Sequence, residues 1–283
     1  MPLEYVSDCE AFLFADDTKL YKQIFCDSDC IVLNKCCQNL FEWCQRWLMK
    51  INVDKCKVLS LGHNRSDLIN YDYGFTVPGT GFVKLEHVDS ISDLGVVIDS
   101  GLTFVNHIHD KINVAYKMLG IINRNFKYLD KASFILLYKS LVRSHIEFAH
   151  SVWNPFKKSL ISDIEKVQKR ATKMVQGCKT KNYRERLEFL KLPTLSYRRL
   201  RGDMIEVFKI LNCHYDQAVV PHLLRNEDSR TRGNFFKLRV ERCRYDLRKY
   251  SFCNRVISIW NSLPDCVVCV CSFNSFKNSL DSR

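Results

Sequence analysis

Asp16 and Asp17 stand side by side between two apolar and aromatic runs, 11–15 and 18–21. The segment reads as strand, tight Ala-Asp-Asp turn, strand. Two carboxylates about 4 Å apart repel each other by on the order of 4 kcal/mol at an effective dielectric of roughly 20. A divalent cation reverses that sign, and Mg²⁺ is held by one or two carboxylates together with substrate phosphates. The other reading is a solvated turn, for which Asp is simply a good residue. Apolar strands on both sides favour the first reading, because they place the pair at the rim of a buried sheet.

A second group of candidates is cationic. Ser159 opens a helix that turns Ile161, Ile164, Val167, Ala171 and Met174 inward, with Gly177 as its stop. Lys166, Lys169, Arg170 and Lys173 then share one face at i, i+3, i+4 and i+7. The net charge of +12 is concentrated in the same half of the chain. Residues 1–100 carry 9 Lys/Arg against 15 Asp/Glu, a balance of −6; residues 101–283 carry 34 against 16, a balance of +18. An acidic front and a basic back suggest that the back meets a polyanion, most often nucleic acid; a solubilising basic surface is the alternative.

The 14 cysteines do not read as a disulfide or zinc framework. The N-terminus has neither a basic nor an apolar leader segment, which implies a reducing nuclear or cytoplasmic setting and free thiols. Cys266, Cys269 and Cys271 form C-x2-C-x-C with no second Cys/His pair after them, and they fall in an apolar, strand-like run that reads as buried. Cys36, Cys37 and Cys44 lie on the apolar stripe of a helix. His145 and His150 flank Glu147 at a spacing that does not align two ligands on one helical face.

The elements that position these residues follow from periodicity. With 283 residues, 46% hydrophobic and 26% charged, the chain has room for about two domains and the composition of a globular protein. That excludes collagen, coiled-coil rods and wholesale disorder, and no window is apolar enough to span a membrane. After the Asp16 hairpin, apolar residues from Leu33 to Ile51 recur at helical spacing, with Asp29 as N-cap. Residues 55–61 read as a strand, 63–81 as a loop, and 82–87 with 91–98 as a hairpin turning near Asp89-Ser90. From about residue 104 the period changes to 3.6. Phe104, Ile108, Ile112, Ala115, Leu119 and Ile122 mark one helix; Asp130 caps a second that carries Ile135, Leu136, Leu141, Val142 and Ile146; a further helix covers about 194–212. Beyond 213, basic residues punctuate short apolar pieces.

Several of these segments together resemble the reverse transcriptases of non-LTR, jockey-like retrotransposons. Phe14-Ala15-Asp16-Asp17 looks like the aromatic-x-Asp-Asp hairpin of the palm, with Phe14 in place of the more familiar Tyr. Leu40-Phe41-x-Trp43-Cys44-x-x-Trp47 with Asn52-x-x-Lys55-Cys56-Lys57 is similar to the helix and strand that follow it. Asp93-Leu94-Gly95-Val96-x-Ile98-Asp99 with Leu102-x-Phe104-x-x-His107-Ile108 resembles the primer-grip hairpin that leads into the thumb. Arg199-x-Arg201-Gly202-Asp203 and 258–264, Ser-Ile-Trp-Asn-Ser-Leu-Pro, resemble segments found after the thumb.

The resemblance implies an α+β fold: a partial antiparallel polymerase palm over 1–104, a helical thumb over 105–180, and a basic, mostly helical extension over 181–283. It implies RNA-directed DNA synthesis on an RNA template and DNA primer from deoxynucleotides, with Mg²⁺ or Mn²⁺ held by Asp16 and Asp17. Lys55 would lie near the leaving pyrophosphate, as general acid or charge clamp; a solvated lysine is its alternative. Leu94, Gly95 and Val96 would form the primer grip, and Lys166, Lys169, Arg170 and Lys173 would contact nucleic acid. The family draws a further metal-binding aspartate and its fingers from upstream of the hairpin, so this chain is expected to be catalytically incomplete alone. A nucleic-acid-binding module without catalysis and a non-functional transposon remnant remain the other expectations.

Overall fold

The computed structural model describes residues 7–62, 71–226, 236–270 and 272–281. The chain divides into two compact units, Met1–Leu102 and Thr103–Arg283. Strands belong to the first and helices dominate the second, a segregation compatible with an α+β chain. Among the described residues no helix is long and apolar enough to cross a membrane.

In the first unit, β1 (Glu10–Phe14) and β2 (Asp17–Tyr21) form an antiparallel hairpin with Phe14 opposite Asp17. Ala15 takes φ 52°, the left-handed conformation that two-residue hairpin loops require to match strand twist. Helix α1 (Asp27–Arg46) follows. Its N-cap is Cys26 rather than Asp29; Asp29 sits one turn inside and accepts from the backbone N–H of Phe25 (2.9 Å) and Cys26 (3.2 Å). Those bonds hold the Asp29 carboxyl below its ordinary pKa. Phe41 of α1 stacks on Phe75 at 5.3 Å, and the two with Leu85 form a small core joined by Cys37, Ile51, Val53, Cys56, Val58 and Val77.

The remaining strands are β3 (Lys57–Leu59), β4 (Gly74–Val77), β5 (Gly81–Lys84), β6 (Glu86–Val88), β7 (Ser90–Asp93) and β8 (Val96–Asp99). They pair β4–β5 and β7–β8 antiparallel, and β3–β6 in parallel. The expected 63–81 loop therefore contains a strand, while residues 63–70 lie outside the described residues. Side chains of α1 support that strand where a neighbouring strand would: Asn34 Oδ1 accepts from Gly74 N (2.8 Å) and Gln38 Oε1 from Thr76 N (2.7 Å). Gly74 cannot carry a side chain, because a Cβ there would lie 2.4 Å from the Val83 carbonyl. The expected turn at Asp89-Ser90 is also displaced. The hairpin turns at Leu94-Gly95, where φ is 46° and 82°, and pairs Asp93 with Val96.

The second unit contains α2 (Val105–Asn125), α3 (Lys131–Leu137), α4 (Ser144–Glu147), α5 (His150–Trp153), α6 (Lys158–Thr172), α7 (Tyr183–Leu190), α8 (Leu195–Leu211), α9 (Asp246–Lys249), α10 (Phe252–Asn261), α11 (Asp265–Val268) and α12 (Phe273–Asp281). Asp130 caps α3, accepting from Ala132 N at 3.1 Å and Ser133 N at 3.3 Å. A π-helical segment, Tyr138–Arg143, joins α3 to α4. Phe134, Tyr138, Val142 and Ile146 are buried at four-residue spacing through it, whereas Leu136 and Leu141 are exposed.

Helix α8 is the shared element of this unit. Met204, Val207, Phe208 and Leu211 pack with Val256, Ile257 and Trp260 of α10, Val267 and Val268 of α11, and Phe276 of α12. Residues 103–283 fall in one compact unit, in which Asn154 Nδ2 donates to Asp203 of α8. The apolar run at 267–271 is helical up to Val268: Pro264 is the N-cap of α11, and both valines turn inward. Cys266 and Cys269 are exposed rather than buried, and Cys271 lies outside the described residues.

Candidate nucleic-acid interface

Asp16 occupies the β1–β2 turn and Asp17 begins β2. Both are exposed, and neither side chain has a hydrogen-bond or ion-pair partner among the described residues. The flanks are not a buried sheet as expected: Phe12 is 50% and Phe14 61% exposed, and among the described residues β1 and β2 form a two-stranded sheet. Lys19 of β2 reaches Asp93 at 2.7 Å and ties the hairpin to the strand preceding Leu94-Gly95-Val96. The acidic turn and the 94–96 turn therefore belong to linked hairpins. Gly95 is accounted for by its positive φ, Val96 is buried and Leu94 is exposed. Lys55 ends a 3₁₀ turn (Val53–Lys55); its side chain is exposed and makes no ion pair with either aspartate.

A two-metal centre holds its ions about 3.5–4 Å apart between several carboxylates. Among the described residues, no three or more His, Cys, Asp or Glu side chains converge as a metal site. Asp16 and Asp17 alone do not fit such a centre; at most they suit one Mg²⁺ whose remaining ligands are phosphate and water.

The basic helix is better built. In α6 and its C-cap Lys173, Ile164, Val167, Gln168, Ala171 and Thr172 are buried, Ile161 is half-buried, as is Met174 just beyond, and Lys166, Lys169, Arg170 and Lys173 are exposed. Lys166 bonds to Asp163 at 2.8 Å, which raises its pKa. Aromatic rings hold the next two cations, with Lys169 Nζ 5.4 Å from the Tyr183 ring and the Arg170 guanidinium 5.3 Å from Tyr116. A third ring, Phe189, has Lys131 at 5.1 Å and Lys181 at 6.0 Å. These rings gather like charges from separate elements, an arrangement that spacing along one helix does not reveal.

The supports beneath are polar and buried. Tyr138 Oη donates to Gln168 Oε1 (2.7 Å), and Gln168 Nε2 donates to the Tyr183 hydroxyl (3.1 Å) and to the Pro193 carbonyl (2.9 Å). Tyr183 in turn donates to Glu165. Burial, followed by the bond and charge of Glu165, pushes the Tyr183 phenol well above its ordinary pKa, so it stays a donor. Asn182 and Glu185 close a capping box that starts α7 and sets Tyr183 at its first position. Arg186 donates Nε to Thr172 Oγ1 at 3.0 Å and Nη1 to the Lys181 carbonyl at 2.9 Å, fixing the end of α6.

The Arg-x-Arg-Gly-Asp and Trp-Asn segments are explained by architecture. Asp203 accepts from Arg255 and Asn154, Arg199 Nε donates to Asn154 Oδ1 (3.1 Å), and Arg201 pairs with Asp281 (2.5 Å). Asn261 exchanges two 2.8 Å bonds with the backbone of Leu238, and the Trp260 indole donates to the Phe236 carbonyl (2.8 Å). Gly202 lies against His150, where an added Cβ would sit 2.2 Å from Nε2. Gly202→Ala is therefore expected to cost about 1–3 kcal/mol in urea unfolding, the range for overpacking; an unchanged midpoint would show that the His150 ring swings away freely.

No protein-family model, curated protein or solved structure matches the chain.

Proposed function

We propose that the chain is a nucleic-acid-binding polypeptide of the non-LTR reverse-transcriptase type, whose helical unit holds the backbone of an RNA template and DNA primer. The observation that carries the binding is the division of α6: one face is buried, and the other presents Lys166, Lys169, Arg170 and Lys173 to solvent. Ring contacts hold two of these cations in place, so less rotamer freedom is lost when phosphate binds. The +18 balance of residues 101–283 acts in the same direction. The assignment to reverse transcriptases rests on the order of the quoted segments, with 1–104 as partial palm and 105–180 as thumb.

A second reading, deoxynucleotide transfer with Mg²⁺ or Mn²⁺ at Asp16 and Asp17, is favoured by one observation. Two adjacent carboxylates, without partners among the described residues, lie on a hairpin tied through Lys19 to Asp93. It requires further carboxylates to complete the clamp, and the binding function does not depend on it.

Replacing Lys166, Lys169, Arg170 and Lys173 together with Gln tests the binding. Each phosphate contact contributes about −0.9 to the slope of log affinity against log salt on duplex. Loss of three to four contacts should reduce the magnitude of the slope by roughly three and weaken binding alike across sequences. Unchanged affinity and slope in filter-binding titrations would reduce α6 to a solvated face.

A further inference from the structure

Tyr128 is 84% exposed, on the short loop between α2 and α3. Single exposed apolar residues are common on protein surfaces; what sets this ring apart is the anchored, lysine-bearing loop that carries it. The loop is anchored on both sides of the ring. Leu129 is buried, its carbonyl accepts from Gln176 N at 3.1 Å, and Asp130 is fixed as the cap of α3. The Leu129–Gln176 bond sets the loop against the turn that follows Lys173, at the end of the basic stripe. Lys127 and Lys131 flank Tyr128 in sequence, and Lys131 is held over Phe189 together with Lys181. The one carboxylate in the loop, Asp130, is engaged in capping.

An exposed ring on an anchored loop, with lysines on both sides of it in sequence, suits a ligand that pairs a flat π-face with phosphate. A protein partner of ordinary apolar character would leave those charges unpaired, whereas an unpaired nucleotide supplies both halves. A continuous duplex cannot, since its bases are stacked on one another inside the helix. We infer that Tyr128 is a stacking platform for an unpaired base, so that this face binds nucleic acid with a single-stranded stretch running off the α6 track. The inference rests on the nucleic-acid reading above and adds the class of ligand.

The test uses the full chain, a fluorescent single-stranded dodecanucleotide of thymidine, and a kilobase-length duplex whose ends are negligible. Tyr128→Ala should weaken the oligonucleotide about tenfold, within the range for loss of one base–aromatic stack. Its salt slope and its duplex affinity should be those of the unsubstituted chain, and Tyr128→Phe should restore oligonucleotide binding. The exposure of Tyr128 makes the fold indifferent to either substitution at this position. An oligonucleotide affinity unchanged in Tyr128→Ala, a loss shared equally by the duplex, or a Tyr128→Phe variant as weak as the alanine would each overturn the platform. If the unsubstituted chain shows no salt-dependent binding to either probe, the underlying nucleic-acid reading fails instead.

Discussion

Asp203→Ala is expected to destabilise the helical unit by about 3–5 kcal/mol, the cost of leaving a buried charge without its partner. Asp203 is 1% exposed. Its carboxylate accepts from Arg255 Nε (3.1 Å) and Nη2 (3.1 Å) and from Asn154 Nδ2 (3.1 Å), joining α8 to α10 and to the segment after α5. Without it, Arg255 keeps only carbonyl acceptors, Ser151 at 2.5 Å and Tyr250 at 3.4 Å, and its charge remains uncompensated. Asn154 also orients Arg199, so the loss extends to a second buried guanidinium. For a unit of this size the melting temperature should fall by roughly 10 °C or more. The cause can be separated from simple loss of contacts: Asp203→Ala with Arg255→Met removes the stranded charge and should recover part of the stability. A single variant within 1 kcal/mol of the unsubstituted protein, or a double variant worse than the sum of the singles, would sink this account.

That network shows both what the sequence discloses and what it withholds. In α8, Leu195, Arg199, Asp203, Val207 and Leu211 recur every four residues and all are buried. An Arg and an Asp on an otherwise apolar stripe are a legible sign of buried ionic pairing. Their partners, Asn154 and Arg255, are 45–52 residues away, and no local pattern names them. The same division holds elsewhere. The faces of α2 and α6 were readable because they depend on a 3.6-residue period, and Asp130 was readable because a cap acts within three residues. After Asp130 the period is less regular, because the π-helical segment Tyr138–Arg143 interrupts it. The β3–β6 pairing and the support of β4 by Asn34 and Gln38 are contacts at long sequence separation, invisible to alternation counts.

The candidate site divides likewise. The cations of α6 could be aligned from spacing alone, whereas the rings that steady them come from α2 and α7. The Asp16 pair was placed in the right kind of turn, but its apolar flanks misled. A run of apolar residues predicts a strand without saying whether anything covers it, and here Phe12 and Phe14 remain exposed. Spacing can align a row of charges, but it cannot show which surfaces the fold leaves bare.

The second large effect is on pH. His107, in the first turn of α2, is 0% exposed and its ring lies 5.4 Å from that of Trp153. Burial pushes its pKa down to about 4, Lys111 adds to the depression, and Asp110 opposes it. The unfolded imidazole titrates near 6.5, so the unfolded state takes up a proton first as pH falls. Stability is therefore complete above about pH 6.5, declines between roughly 6.5 and 4, and suffers no further loss from this group below that, where both states are protonated. The full decline amounts to about 3 kcal/mol. Carboxylates such as Asp130, whose capping bonds lower its pKa, add their own loss of stability on the acid side, so the measurement must be a difference. His107→Gln should be less stable than the unsubstituted chain at pH 7.5, through lost packing on Trp153. That gap in urea unfolding free energy should then shrink steadily toward pH 4, since Gln has no proton to gain. A gap that stays constant from pH 7.5 to 4 would mean that His107 titrates alike in both states, and the burial of its neutral ring would carry no pH dependence.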